Sequence, residues 1–166
     1  FAFATSAIRS ANNGNEFVAE ALLKSNISIN IIDGDEEAEL IYYGNKLAVT
    51  MTDDISLIMD IGGGSTEFIL ANKQTIFWKQ SFLLGAARLL EKFNFKDPLS
   101  PSDEVIFNTY VINELQPLFN AVKQYKPTEL IGSSGAFDSV IDLITYQLRG
   151  AHMVETKTEY HIDFFN

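Results

Sequence analysis

The chain contains no cysteine, only four prolines, two histidines and one tryptophan among its 166 residues. Without cysteine there is no disulfide framework and no thiolate metal site. His152 and His161 stand nine apart with no second pair, which leaves no ligand spacing for a histidine metal centre. Positive charge is scarce as well: 12 Lys and Arg face 22 Asp and Glu, a formal net charge of -10. A surface this acidic repels DNA, RNA and anionic membranes, whose binders depend on basic patches. No apolar run approaches the roughly 20 residues that span a bilayer. No signal peptide is recognisable either, although the opening in mid-strand, Phe1-Ala2-Phe3, leaves the true N-terminus open. A cytoplasmic setting is therefore expected. With 46% hydrophobic and 20% charged residues, the remainder is ordinary globular composition, long enough to bury a core.

The densest chemistry lies in Met59 to Phe68, MDIGGGSTEF. An apolar run ends on Asp60, turns over Gly62, Gly63 and Gly64, and resumes through Ser65, Thr66 and Glu67. Glycine loses the most backbone entropy on folding, so three in succession belong where the chain turns or something approaches closely. The pattern predicts a tight β-hairpin whose tip is flanked by two carboxylates and two hydroxyls. Its backbone N–H groups can converge on an anion, and a neighbouring carboxylate can hold a hard cation through oxygen. A plain hairpin turn with polar trim satisfies the same residues. If the ligand is a phosphate, the acidic surface makes local attraction necessary, with Arg9 and Arg88 the first candidate cations; each also reads as an ordinary helix-surface arginine.

In chain order, a strand over Phe1 to Ala4 leads to a helix over Ala7 to Lys24, with Thr5 or Ser6 placed to cap it. Asn12-Asn13-Gly14 weakens its first half, and Phe17, Val18, Ala21 and Leu22 give it a buried stripe. Ile27 to Ile32 alternates as a strand and ends at Asp33-Gly34. A helix over Asp35 to about Val49 follows, with Asp35, Glu36 and Glu37 in its first turn. Acidic residues there oppose the helix macrodipole and need no further role. Alternatively, one glutamate faces a cleft and acts as a general base.

From Ile55 the period changes. Ile55 to Ile61, Thr66 to Leu70 and Thr75 to Phe82 read as an antiparallel meander. Helices are expected over Leu84 to Phe93 and over Asp103 to Tyr125, the latter with Val105, Ile106, Tyr110, Ile112, Leu115, Leu118, Phe119 and Val122 on one broad apolar face. A strand, Glu129 to Ile131, then runs through Gly132-Ser133-Ser134-Gly135 to a helix over Asp138 to Leu148. The sum is an α/β chain holding the end of one lobe and most of a second, with the boundary between Lys46 and Asp54.

Several blocks, taken in order, resemble one family: Phe3-Ala4-Thr5-Ser6-Ala7-Ile8-Arg9, Gly34 to Tyr42 (GDEEAELIY), Asp60 to Glu67, Ser81 to Leu89 and Gly132 to Ala136. They are similar to the exopolyphosphatase and guanosine pentaphosphate phosphohydrolase family, within the superfamily of acetate and sugar kinases, heat-shock chaperone ATPases and actin. The resemblance implies two ribonuclease-H-like, actin-like ATPase lobes with mixed β-sheets flanked by helices. Residues 1–49 would close lobe I and include the interdomain helix; residues 50–166 would form lobe II, truncated at an apolar end, Asp163 to Asn166. It implies Glu37 as the general base, Glu67 as a second acidic residue orienting water or cation, and Asp60 as the carboxylate holding Mg2+. Gly62, Gly63, Gly64 and Ser65 would bind phosphate, with Arg9 meeting it across the cleft.

The implied activity is magnesium-dependent release of terminal orthophosphate from inorganic polyphosphate, guanosine pentaphosphate or both, by a full-length homodimer. Because the first phosphate loop of the family is missing, the chain on its own is expected to be inactive. Gly132 to Phe137 also departs from the family, which more often has a threonine after the second glycine. A kinase or ATPase of the same superfamily, and a non-catalytic regulator that binds nucleotide alarmones, are the competing expectations.

Overall fold

The computed structural model describes residues 1–149; His152, His161 and the apolar segment at 163–166 lie outside that range. Two sheets organise it. Strands β1 (Ala2–Ala4) and β2 (Ile29–Ile31) pair in parallel, while β3 (Ser56–Ile61), β4 (Thr66–Ala71), β5 (Ile76–Phe82) and β6 (Glu129–Ser133) form a mixed sheet in the order β5-β4-β3-β6. The first three of these run antiparallel as the predicted meander, and β6 adds in parallel to β3. Placing β6 parallel requires a long crossover, which the intervening helices supply.

Strand alternation assigns the two faces of the mixed sheet. Helix α3 (Gly34–Ala48) covers one of them, where Ala38, Tyr42, Met51, Ile58, Ile69 and Ala71 form a buried cluster. The helix is fixed at its start by Asp33, whose Oδ1 accepts from the Glu36 amide at 2.8 Å. Only one stripe of it is buried: Leu40, Tyr43 and Leu47 of the expected apolar faces stay exposed. On the opposite face, Phe68, Phe82, Leu84 and Leu118 are buried, with Leu57, Met59, Trp78, Leu89, Tyr110, Leu115 and Val122 packed around them. Those residues come from the sheet, from α4 (Ala86–Phe93) and from the helical pair α5 (Pro101–Glu114) and α6 (Gln116–Tyr125). The result is helix, sheet, helix in three layers, the arrangement that buries both faces of a sheet.

Three expectations are corrected. The helix expected over Ala7 to Lys24 is two, α1 (Ser6–Ser10) and α2 (Gly14–Ser25), because Ala11 is extended and Gly14 packs so closely on the Ile8 carbonyl that a Cβ would overlap it. Neither Thr5 nor Ser6 caps α1 through its side chain, and Phe17 and Leu22 of the expected buried stripe are about half exposed, at 47% and 46%. Two short strands offer α2 too little surface to cover that stripe.

The helix expected over Asp103 to Tyr125 also divides, at Leu115. Pro117 has no N–H for the preceding turn, and its ring crowds the carbonyl four residues back. Val105, Ile106 and Ile112 of the expected apolar face, all on α5, are exposed, while Leu118 and Ala121 on α6 are buried against the sheet. Finally, β6 extends through Ser133 and α7 (Gly135–Arg149) begins three residues earlier than expected. Among the described residues no helix is long and apolar enough to cross a membrane.

Candidate active site

The hairpin between β3 and β4 forms as the sequence pattern predicts. Asp60 lies directly opposite Glu67, and Ile61 opposite Thr66, so the tip is the four residues Gly62 to Ser65, closed by the Gly62 amide donating to the Ser65 carbonyl at 3.0 Å. Its carbonyls are taken up by the start of α4. The Ala86 amide donates to Gly62 O at 2.9 Å, the Arg88 amide to Gly63 O at 3.1 Å, and Arg88 Nε to Gly64 O at 2.7 Å. These bonds satisfy N–H groups that a helix start otherwise leaves unpaired. They also hold the loop's oxygens toward α4. Among the described residues the amides of Gly63, Gly64 and Ser65 donate to no protein group.

The loop lines a cleft of about 380 Å³ together with Thr5, Ser6, Ala7, Glu37, Ala87, Arg88 and Glu91. Residues from four separate stretches of sequence thus face one space. Glu37 arrives from the first turn of α3, where its Oε2 is 3.0 Å from Arg9 Nη1. The same Arg9 nitrogen donates to the Ile32 carbonyl at 2.7 Å. Arg9 therefore ties α1 to the segment just after β2 and to the Glu37 carboxylate, while Arg88 is the arginine that lines the cleft beside the loop. Of the acidic residues in that helical turn, Glu36 is exposed and bonded only through its backbone to Asp33, whereas Glu37 is partly buried against the cleft.

Asp60 and Glu67 sit deeper, below the tip on the face covered by α3, and neither lines the cleft itself. Glu67 is only 2% exposed, and the Ser81 hydroxyl donates to its Oε1 at 2.6 Å. Burial pushes its carboxyl above the ordinary range; the Ser81 and Ser65 hydroxyls oppose that shift, and the negative charges of Glu37 and Asp60 add to it. Carboxylates from α3 and β3 therefore act on the one buried in β4. Space for this arrangement is made by Gly34, where a Cβ would stand 2.6 Å from that of Ser81.

Sequence reasoning did not single out Ser81, Gly85 or Gly34. Ser81 follows from the meander itself, since the register that opposes Asp60 to Glu67 carries on to oppose Glu67 to Ser81. Gly85 packs its backbone against Gly63 and Gly64 so closely that a side chain there would overlap them, a contact between separate turns that local pattern does not announce. The Gly132 to Gly135 stretch, the end of β6 and the start of α7, lies beside the end of β3: Ser134 Oγ donates to the Ile61 carbonyl at 3.0 Å, and Asn45 Nδ2 reaches Ser133 Oγ at 3.4 Å.

A sequence profile of the Ppx/GppA phosphatase family matches residues 1–163. The chain belongs to that family. Among solved structures, an exopolyphosphatase from Cytophaga hutchinsonii is 43% identical, with a TM-score of 0.87 over 96% of this chain and 51% of that one. A Ppx/GppA family member from Aquifex aeolicus, 24% identical with a TM-score of 0.68, shares the fold over 90% of this chain and 47% of its own. The bifunctional 3-dehydroquinate synthase/phosphatase of Fusobacterium nucleatum is 41% identical over 99 residues, 58% of this chain and 15% of that protein. The chain thus spans about half the length of the Ppx/GppA structures it resembles.

Proposed function

We propose that the protein is a phosphohydrolase that moves the terminal phosphoryl group of a phosphoanhydride chain onto water, with inorganic polyphosphate, guanosine pentaphosphate or both as substrate. The observation that carries this reading is the shared cleft, in which a partly buried carboxylate, Glu37, and a glycine loop with unengaged amides line the same space. Membership of the Ppx/GppA family and the likeness to an exopolyphosphatase support it.

Phosphoryl transfer asks a protein mainly for positioning and charge neutralisation. The amides of Gly63, Gly64 and Ser65 receive the oxygens of the terminal phosphate, and Arg88 adds positive charge beside them. Glu37, oriented by Arg9, accepts a proton from water as its oxygen attacks phosphorus. The P–O bond to the rest of the chain breaks, and the shortened chain leaves with the bonding electron pair.

Magnesium suits the donor set. Asp60 and Glu67, opposed across the hairpin with Glu37 close enough to act on Glu67, form a like-charge group whose repulsion a divalent cation offsets. Among the described residues no cluster of three or more ligating side chains occurs, and magnesium typically takes one or two carboxylates, substrate phosphate and water. Asp60, directly or through water, would hold it. When bound, the ion neutralises phosphate charge.

The test is phosphate release by the complete protein from long-chain polyphosphate, tripolyphosphate and guanosine pentaphosphate, with magnesium and with EDTA. Magnesium-dependent release from at least one of them is expected. Release from none, or transfer of phosphate to an added acceptor in preference to water, would overturn the reading.

A further inference from the structure

The hydroxyl of Ser6 is buried, 4% of the residue being exposed, and its Oγ has no hydrogen-bond partner among the described residues. A serine in that state is uncommon, since buried polar groups are almost always paired and leaving one unpaired is costly. Helix capping does not explain it, because Thr5 holds the cap position of α1 and neither side chain makes a capping bond. Its surroundings suggest another role. Ser6 lines the cleft against the glycine loop, and the ideal Cβ position at Gly64 is 2.6 Å from its Oγ. Unengaged donors thus stand on both sides of one gap: a hydroxyl from the β1–α1 segment, and the amides of Gly63, Gly64 and Ser65 from the hairpin.

We propose that Ser6 is a substrate-binding residue whose hydroxyl donates to a phosphoryl oxygen seated between α1 and the glycine loop. The inference rests on the phosphohydrolase reading and adds to it a donor from outside the hairpin. Ser6 approaches the Gly64 backbone closely with its hydroxyl unsatisfied, so a phosphoryl oxygen bound at the edge of that contact meets both the hydroxyl and the loop amides. The absence of a side chain at Gly64 is what makes room for that oxygen.

A donor held for the ligand and wasted without it has a signature that an ordinary structural serine lacks. Ser6→Ala in the complete protein should leave Tm at or above that of the parent, because an unsatisfied polar group has been removed. The same variant should raise KM for polyphosphate and weaken tripolyphosphate binding, measured by calorimetry, by about 10- to 100-fold, the range expected for one hydrogen bond to a charged group. Unchanged KM and tripolyphosphate affinity in Ser6→Ala, beside an active parent, would overturn this inference alone. So would a fall in Tm with binding intact, which would make Ser6 a packing residue. A parent that neither binds nor hydrolyses any of the substrates would overturn the inference together with the reading beneath it.

Discussion

Replacing Gly85 by alanine isolates the contact that holds the glycine loop in place. Gly85 has φ -68° and ψ 150°, values open to alanine, so the change brings no conformational strain of its own. What it brings is a methyl group driven into the backbone of Gly63 and Gly64, atoms that cannot rotate away as a side chain would. Overpacking of this kind costs about 1–3 kcal/mol. If the loop shifts to relieve it, the bonds from the Ala86 and Arg88 amides to Gly62 and Gly63 weaken as well, at about 0.5–1.5 kcal/mol each. The total of about 2–6 kcal/mol is a large share of the 5–15 kcal/mol by which domains are typically stable. Urea unfolding of the complete protein should show it as a midpoint lowered by roughly 1–3 M, given a slope near 2 kcal/mol per M. Phosphate release by the fraction still folded should fall too, because the loop amides are displaced. Gly44→Ala is the control: it lies exposed within α3 with nothing near its would-be Cβ, and should stabilise by about 0.5–1 kcal/mol. A Gly85→Ala protein as stable and active as its parent would refute the account of how α4 supports the loop.

Two further outcomes are expected. Asp60→Asn removes a hard anionic donor, so the magnesium concentration giving half-maximal phosphate release should rise at least tenfold while Tm changes little; an unchanged magnesium requirement would take the cation from Asp60. Glu67 gives a pH prediction. Burial raises its carboxyl above the ordinary value of 4.5, so the native state holds this proton to higher pH than the unfolded state does. Stability from this group is therefore greatest below about pH 4.5 and is lost as pH rises through the native value. In metal-free buffer Glu67→Gln should remove that component and leave the variant more stable than the parent at neutral pH. Equal pH dependence of urea midpoints in the two proteins would show that Glu67 does not titrate as its burial implies.

The hairpin tip was legible because its signals are local: an apolar run, three glycines and a second run fix both turn and register, and register alone opposes Asp60 to Glu67. The first turn of α3 was legible for the same reason, through Asp33-Gly34 and the acidic residues behind it. Contacts that close the site from elsewhere were not. Ser6 meets Gly64 and Gly85 meets Gly63 across long stretches of chain, and a small residue at such a crossing looks like any other turn residue until both elements are placed. Helix continuity failed where a local breaker outweighed apolar spacing, at Asn12-Asn13-Gly14 and at Pro117. Arg9 shows a different difficulty: its sequence context names a cation near the site, but only the placement of β2 and α3 puts that cation on Glu37.

The claim that Glu37 works as a base in the cleft, while its neighbour Glu36 merely decorates the helix start, is tested most directly by phosphate release from polyphosphate by the complete protein carrying either Glu37→Gln or Glu36→Gln. The account predicts a fall of about 10²- to 10⁴-fold in rate for Glu37→Gln with an unchanged circular dichroism spectrum, and a rate within about threefold of the parent for Glu36→Gln. Equal effects of the two substitutions, or greater sensitivity at position 36, would contradict it.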